Sequence, residues 1–263
     1  MEEYLREIYE HWCNKDFTHL LGNLPIGTRF ESQVFVPECP PIPWLGNIQS
    51  SVVFISLEPK LNAENGFEFF DAQIQQTNNL QKWKEFYPSS KYFERYYDIR
   101  HQHLYGYWET IALIARGYIT GNEDIVSKAT LLQTLTDNVV EFPFIQYHAN
   151  NHPRYRLNSM VINDFIKRLH FLKNQQVLFF YGKGTIKKLK MVKESPFRIT
   201  KLKELIHGKL KSKIDIHKID IVDRSFIAVS IPQRSAGNNM AAIGKIQLGN
   251  RIQTELKNIR IDQ

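Results

Sequence analysis

Two glutamates stand where apolar strands would not ordinarily carry a charge. Glu58 follows the apolar run at residues 51–56 (SVVFIS), and Glu141 lies inside the run at residues 138–145 (NVVEFPFI). A buried carboxylate is costly unless it is paired or hydrogen-bonded. Glu58 could therefore cap a turn or point into a cleft. Glu141 could form an ion pair with a lysine, or it could accept a hydrogen bond from the amino group of a cytosine-type ligand.

A third apolar run, at residues 176–181 (QVLFFY), ends in glycine and lysine. Gly182 and Lys183 follow it directly, and Lys187 and Lys188 come shortly afterwards. Glycines at a strand-to-helix turn permit close packing, and amide groups at a helix start can receive a phosphate. The lysines could equally form a solvated helix face.

A fourth apolar run, at residues 225–231 (SFIAVSI), is followed by a polar turn that contains Gln233, Arg234 and Ser235. The arginine could be an ordinary surface residue. It could also be a side chain that enters a DNA duplex.

The four runs predict the strands of one sheet. Each is nearly continuous in β-branched and aromatic residues, which is typical of strands buried on both faces. Helical periodicity lies around them, at about residues 2–18, 107–117, 157–172, 184–190, 201–210 and 240–259. This alternation predicts an α/β fold, a three-layer α/β/α sandwich around a mostly parallel four-stranded sheet. In such a sheet the site lies beyond the carboxyl ends of the strands.

Composition bounds the class of protein. The chain has 263 residues, of which 43% are hydrophobic, and this excludes wholesale disorder. Lysine and arginine exceed aspartate and glutamate by seven, which suggests a polyanionic partner. The two cysteines exclude a four-cysteine zinc site and a disulfide framework.

The whole chain, 1–263, is predicted to be one domain. It carries an N-terminal helical extension (about 1–45) and a long aromatic-rich insertion (about 61–106). The acidic N-terminus does not resemble a signal peptide, and no apolar run is long enough to span a bilayer. We expect a cytoplasmic monomer that does not bind membranes.

Taken together, the four strand ends resemble motifs of the uracil-DNA glycosylase superfamily. Residues 56–59 (SLEP) resemble its motif G-[QIM]-[DN]-P, and residues 139–142 (VVEF) resemble the strand that carries a base-reading asparagine. Residues 179–183 (FFYGK) resemble F-x-L-W-G-K, and residues 231–235 (IPQRS) resemble H-P-S-P or M-P-S-S. Their order and spacing also fit, from about residue 41 to residue 235.

The chain departs from the family pattern at three places. Ile231 replaces the motif histidine, although one branch of the family also lacks it. Glu141 replaces the base-reading amide, which argues against uracil because a carboxylate is repelled by carbonyl acceptors. The segment after Leu61 is long and aromatic-rich, so it could form a lid or a pocket wall.

The resemblance implies a DNA glycosylase that rotates a nucleotide out of the duplex and cleaves its N-glycosidic bond, without a metal or cofactor. Glu58 would orient the attacking water, and His148 would assist the departing base or be purely structural. Glu141 would read the base edge. One of three phenylalanines would stack on the base, unless all three belong to the core: Phe67, Phe69 and Phe70.

DNA is the partner that the resemblance implies. Arg234, together with Gln233, would occupy the gap left by the flipped nucleotide, and Ser235 would contact DNA beside them. Phosphates would be contacted by lysines, each of which could also be plain surface: Lys183, Lys187, Lys188, Lys209, Lys211 and Lys213.

The substrate expected from Glu141 is a modified cytosine. A glucosylated hydroxymethylcytosine of phage DNA would fit, and the enzyme would then serve antiviral defence. The alternatives are a glycosylase that repairs uracil or damaged bases, and a catalytically inactive DNA-binding protein on the same fold. An unrelated α/β hydrolase is disfavoured because the chain has no G-x-S-x-G motif.

Overall fold

The computed structural model describes residues 1–57, 68–98, 103–104, 106–150, 155–173, 175–182, 184–192, 196–207, 212–221, 223–232 and 240–259. The strands are β1 (Val34–Val36), β2 (Leu45–Gly46), β3 (Val52–Ser56), β4 (Tyr97–Asp98), β5 (His103–Leu104), β6 (Val139–Pro143), β7 (His148–Asn150), β8 (Val177–Tyr181), β9 (Phe197–His207), β10 (Ser212–Ile221) and β11 (Arg224–Ile231). The helices are α1 (Glu2–Cys13), α2 (Thr18–Leu21), α3 (Glu68–Gln76), α4 (Leu80–Phe86), a 3₁₀ helix (Ser90–Tyr96), α5 (Gly106–Thr120), α6 (Lys128–Asn138), α7 (Ser159–Leu169), α8 (Gly184–Lys190) and α9 (Ala242–Asn258).

The main sheet has seven strands in the order β2-β6-β3-β8-β11-β10-β9. Its centre consists of β6, β3, β8 and β11, which are mutually parallel and correspond to the four apolar runs. β2 adds an antiparallel strand to β6, and β10 and β9 add an antiparallel pair to β11. The predicted α/β class is confirmed, whereas the predicted count of four strands is wrong.

The helix predicted at residues 201–210 is also wrong, because β9 occupies Phe197–His207. Most β9 side chains are exposed, so burial gives this segment no clear strand pattern. Pairing with β10, where apolar residues alternate at Ile214 and Ile216, supplies its backbone partners. Tertiary pairing therefore overrides the local helical tendency.

Helices cover both faces of the sheet. Tyr118 of α5 packs on Phe179 of β8, with ring centroids 5.0 Å apart. On the opposite face, Phe165 of α7 packs on Phe144, just beyond β6, at 4.1 Å. α9 crosses α5 closely, while α1 joins α7 through a hydrogen bond from the Tyr4 hydroxyl to an Asp164 carboxylate oxygen at 2.7 Å.

A buried arginine connects α7 to the sheet. Arg168 has no solvent exposure, and its guanidinium donates to the carbonyl oxygens of Pro43, Pro143 and Phe144. Asp164, one helical turn away, accepts a further hydrogen bond at 3.0 Å. This charged group thereby fixes the end of β6 against the segment that leads into β2.

The N-terminal extension and the aromatic-rich segment belong to the same hydrophobic core as the sheet. One cluster of buried side chains includes Ile8 of α1, Trp83 of α4, Phe93 of the 3₁₀ helix and Phe54 of β3. Within the described ranges, the helices are too short or too polar to cross a membrane.

Candidate functional site

The strand order defines a reversal point at the carboxyl ends of β3 and β8. In chain order the parallel strands are β3, β6, β8 and β11, and β3 lies between β6 and β8. From β3 the chain moves to β6, on one side of β3. It then crosses back to β8, on the other side of β3, and continues outward to β11. The connections that leave β3 and β8 therefore run in opposite directions across the sheet. Ligands of doubly wound sheets bind at this reversal. Gly182, at φ 98°, ends β8 in a conformation that favours glycine.

Glu141 is buried in the middle of β6, two residues before that strand ends at Pro143, and β6 is the neighbour of β3. Glu141 is opposite Phe54 in the parallel pair of β3 and β6, and Ser56 follows two residues later on the same face. Only 4% of Glu141 is exposed. The Tyr107 hydroxyl, from the first turn of α5, donates to Oε1 at 2.9 Å, whereas Oε2 has no hydrogen-bond partner among the described residues.

The environment of Glu141 favours a proton on its carboxyl group. Burial raises the pKa of Glu141 to about 7, although the hydroxyls of Ser56 and Tyr107 act to lower it. Ser56 Oγ lies close enough to have this effect without full hydrogen-bond geometry. We find no ion pair between Glu141 and a lysine in the described part of the chain, so the ion-pair interpretation gains no support there.

Tyrosines surround this carboxyl group. The ring of Tyr107 contacts that of Tyr181 edge-on, with centroids 5.4 Å apart. Tyr92 and Tyr96, on the 3₁₀ helix, have hydroxyl oxygens 2.8 Å apart, and the charge of Glu141 contributes to raising the pKa of both after burial, the larger cause. The site thus offers hydroxyl groups and ring edges that stay neutral at physiological pH.

His148 is also buried, on β7. Its Nε2 is 3.4 Å from Nε2 of Gln73, which also hydrogen-bonds the Tyr87 hydroxyl. β7 follows β6 in the chain and pairs with β1 in a separate two-stranded sheet. The structure therefore places His148 against α3, with no direct hydrogen bond to Glu141 among those described.

Three of the predicted phosphate-binding lysines lie within the described residues, and two of them are on α8. Lys187 is exposed, whereas the ammonium of Lys188 lies 3.1 Å from the ring centroid of Tyr155. This cation–π contact gives Lys188 a structural function that the sequence did not indicate. Lys213 is on β10, where it pairs with Glu204 at 3.2 Å.

The other predicted site residues are not among the side chains that the structure describes. Phe69 and Phe70 belong to α3, but their side chains are outside the described atoms. The remaining ones lie outside the described residues: Glu58, Phe67, Lys183, Lys209, Lys211, Gln233, Arg234 and Ser235.

Sequence reasoning did not single out the residues that surround Glu141. Tyr107 counted only as the start of a helix, and Tyr92, Tyr96 and Tyr181 had no assigned role. Their signal was the density of tyrosines between residues 87 and 107, together with the tyrosine that ends the third apolar run.

One group of side chains offers donor atoms for a metal ion, far along the chain from Glu141. The donor atoms of Glu7, His11 and His19 lie within 4.8 Å of one another. The two imidazole rings, however, stack in parallel with centroids 3.7 Å apart, so their in-plane lone pairs do not converge on one point. Lys167 also pairs with Glu7 at 2.8 Å. These contacts favour a hydrogen-bonded cluster over a metal centre.

One surface hollow of the described residues lies at the other end of the sheet. It measures about 440 Å³ and is lined by residues around the β10–β11 turn, including Arg198 and Arg224. Arg224 already donates to the carbonyl oxygens of Leu169 and Leu172 at the end of α7. We therefore regard the carboxyl edge, with its buried acid, as the better candidate.

Comparison with protein-family models, with curated proteins and with solved structures finds no match. The similarity to uracil-DNA glycosylases therefore depends on the sequence motifs alone.

Proposed function

We propose that this chain is a DNA glycosylase that rotates a modified pyrimidine nucleotide out of DNA and hydrolyses its N-glycosidic bond. The observation that carries the proposal is the buried Glu141 carboxyl beside Tyr107 and Ser56, on the strand next to the β3–β8 pair where a doubly wound sheet binds its ligand. A carboxyl with one oxygen lacking a partner is poised for a ligand group that can form a hydrogen bond.

The surroundings of Glu141 suit an extruded base. Enzymes that flip a nucleotide read its edge through hydrogen bonds and hold its face with aromatic side chains. Glu141 would supply the first contact. The ring edges of Tyr107 and Tyr181 would bound the pocket, and a phenylalanine of the 67–70 segment would stack on the base.

The reaction requires charge stabilisation more than covalent chemistry. Water adds to the sugar carbon C1′ while the C1′–N bond breaks, its electron pair leaves with the base, and the base then takes up a proton. Positive charge develops on the sugar. By resemblance, Glu58 would orient the water and stabilise that charge. His148 is proposed on its position after the second apolar run, and it would assist the leaving base.

DNA would bind along the carboxyl edge of the sheet. Arg234, together with Gln233, would fill the gap in the base stack, and Ser235 would contact DNA beside them. Lys183, Lys187 and Lys188 would contact phosphates. A modified cytosine is the substrate we favour, with glucosylated hydroxymethylcytosine in phage DNA as the specific candidate and antiviral defence as the role.

An alkali-cleavage assay tests this function. Purified protein is incubated with duplexes that contain uracil, cytosine, hydroxymethylcytosine or glucosylated hydroxymethylcytosine, and abasic sites are detected as strand breaks. We expect breaks on a modified cytosine that disappear in Glu58→Gln. Glu3→Gln, a matched change on the exposed face of α1, should keep activity.

Two other results would change the assignment. Strand breaks on uracil alone would favour a repair glycosylase. Salt-sensitive DNA binding without breaks on any of these substrates would favour the inactive DNA-binding protein.

A further inference from the structure

The two oxygens of the Glu141 carboxyl group are not equivalent. Oε1 accepts a hydrogen bond from Tyr107, so this oxygen is fixed as an acceptor. Oε2 is buried and lacks a described partner, so it is the atom that would carry either a proton or an available lone pair. Ser56, the nearby hydroxyl on β3, can reorient to donate or accept as that atom requires.

We infer that Glu141 reads the group at position 4 of the extruded pyrimidine in two ways, as an acceptor from a 4-amino group when ionised and as a donor to a 4-oxo group when protonated. The inference rests on the proposed function and specifies its substrate class. It makes the choice between cytosine-type and uracil-type bases depend on pH.

The chemistry of the two bases matches the two forms of the carboxyl group. A cytosine-type edge presents an amino donor where a uracil-type edge presents a carbonyl acceptor. The ionised carboxylate accepts from the former, and the protonated carboxyl donates Oε2–H to the latter. A glutamate at this position disfavours uracil only while its carboxyl group is ionised.

The side chains that face Glu141 leave it as the group that titrates near neutrality. Burial raises the pKa of Glu141 to about 7, while it raises that of Tyr96 and of Tyr181 to about 12. Burial also raises the pKa of Tyr92 and Tyr107 well above the ordinary value for tyrosine. The remaining neighbours, Ser56 on β3 and Leu45 opposite on β2, do not titrate in this range. Among the described residues, no cation contributes to lowering the Glu141 pKa.

A matched pair of substrates isolates this effect. One duplex carries hydroxymethylcytosine and the other carries hydroxymethyluracil at the same position, so the two differ in the group at position 4 and the proton at ring nitrogen N3. Single-turnover cleavage rates are measured on both from about pH 6 to about pH 8, where neither base changes its protonation. The ratio of the two rates cancels every pH effect that both substrates share.

We expect the ratio of amino-base to oxo-base cleavage to rise by about tenfold per pH unit, because it follows the ratio of ionised to protonated Glu141. In Glu141→Gln the ratio should be independent of pH, since the amide offers a donor and an acceptor at every pH. Glu3→Gln should retain the wild-type slope.

The outcomes separate this inference from the proposed function. Cleavage of either base with a flat ratio in the wild-type protein would overturn the two-way reading and leave the glycosylase intact. A slope that persists in Glu141→Gln would assign the titration to another group and would also overturn it. Absence of cleavage on both bases across the pH range would contradict the glycosylase function itself.

Discussion

At the scale of single residues, the Tyr107 hydroxyl controls how readily Glu141 keeps its proton. It donates to Oε1 at 2.9 Å in a buried environment, and a hydrogen bond donated to a carboxylate stabilises the charged form. Ser56 and Tyr107 are the two hydroxyls that offset the desolvation of Glu141, so removing Tyr107 leaves Ser56 to act alone. Tyr107 is therefore as important to the chemistry of this site as the acid itself.

We predict that Tyr107→Phe raises the Glu141 pKa above about 7, by about one unit. The titration is followed by NMR of carbon-13-labelled glutamate carboxyls, with Glu141→Gln used to assign the resonance. Tyr118→Phe, on the same helix but packed against Phe179, is the control and should leave the titration unchanged. An unchanged or lowered pKa in Tyr107→Phe would mean that this hydroxyl does not stabilise the carboxylate.

The sequence predicts that Glu141 is a buried carboxyl group in a strand, but it does not predict whether that group is ionised or protonated. The sequence alone shows a charged residue within an apolar run, and the structure confirms that Glu141 is buried, with 4% of the residue exposed. The partner, Tyr107, lies 34 positions away and meets Glu141 only because α5 returns over the sheet. The protonation state depends on that partner and on depth, and both are properties of the fold.

At the scale of elements, the crossing of α5 and α9 determines where Tyr107 lies. Two glycines make the close approach possible. A Cβ on Gly117 would collide with the backbone carbonyl of Ile246, and a Cβ on Gly249 would collide with that of Ile114. Each glycine faces the backbone of the other helix, so neither collision can be relieved by a change of rotamer.

We predict that Gly117→Ala and Gly249→Ala each lower the free energy of unfolding by about 2–4 kcal/mol, even though alanine favours a helix more than glycine does. Gly106→Ala is the matched control at the start of α5. Apart from its chain neighbours and the backbone of its own helix, no atom of the described residues lies within 4 Å of its added Cβ. Urea unfolding followed by circular dichroism measures all three. Equal stabilities would show that the helices are not in close contact at these glycines.

The elements also differ in how far the sequence could predict them. The four parallel strands are buried on both faces, so their continuous apolar letters indicate them directly. β10 alternates apolar and polar residues and carried a strand signal of its own, whereas β9 has mostly exposed side chains. β9 becomes a strand because β10 supplies its hydrogen bonds, and that pairing cannot be read from β9 alone.

At the scale of the whole molecule, the excess of positive charge is not spread evenly. On the β9–β10 surface, lysines pair with nearby acids: Lys201 lies 2.7 Å from Asp215, and Lys203 pairs with Glu255 of α9. Such pairs make this surface alternate in charge, which disfavours it as a phosphate-binding face. Lys187 of α8 is exposed directly after β8, so the carboxyl edge of the sheet is the better position for a DNA backbone.

The buried acid also links the stability of the whole molecule to pH. The folded protein holds the proton of Glu141 with a pKa of about 7, against an ordinary value of 4.5. The folded state is therefore favoured at low pH, and this contribution is lost as the pH rises from about 4.5 through about 7.

Glu141→Gln removes this pH dependence while keeping an acceptor for the Tyr107 hydroxyl. We predict that its stability relative to wild type increases by up to about 3 kcal/mol between about pH 5 and about pH 8. Urea unfolding at each pH measures this difference, and Glu3→Gln accounts for the loss of one carboxylate as such. A difference that stays constant with pH would show that Glu141 is ionised in the folded protein throughout, and the pH-dependent reading of the base would then have no physical basis.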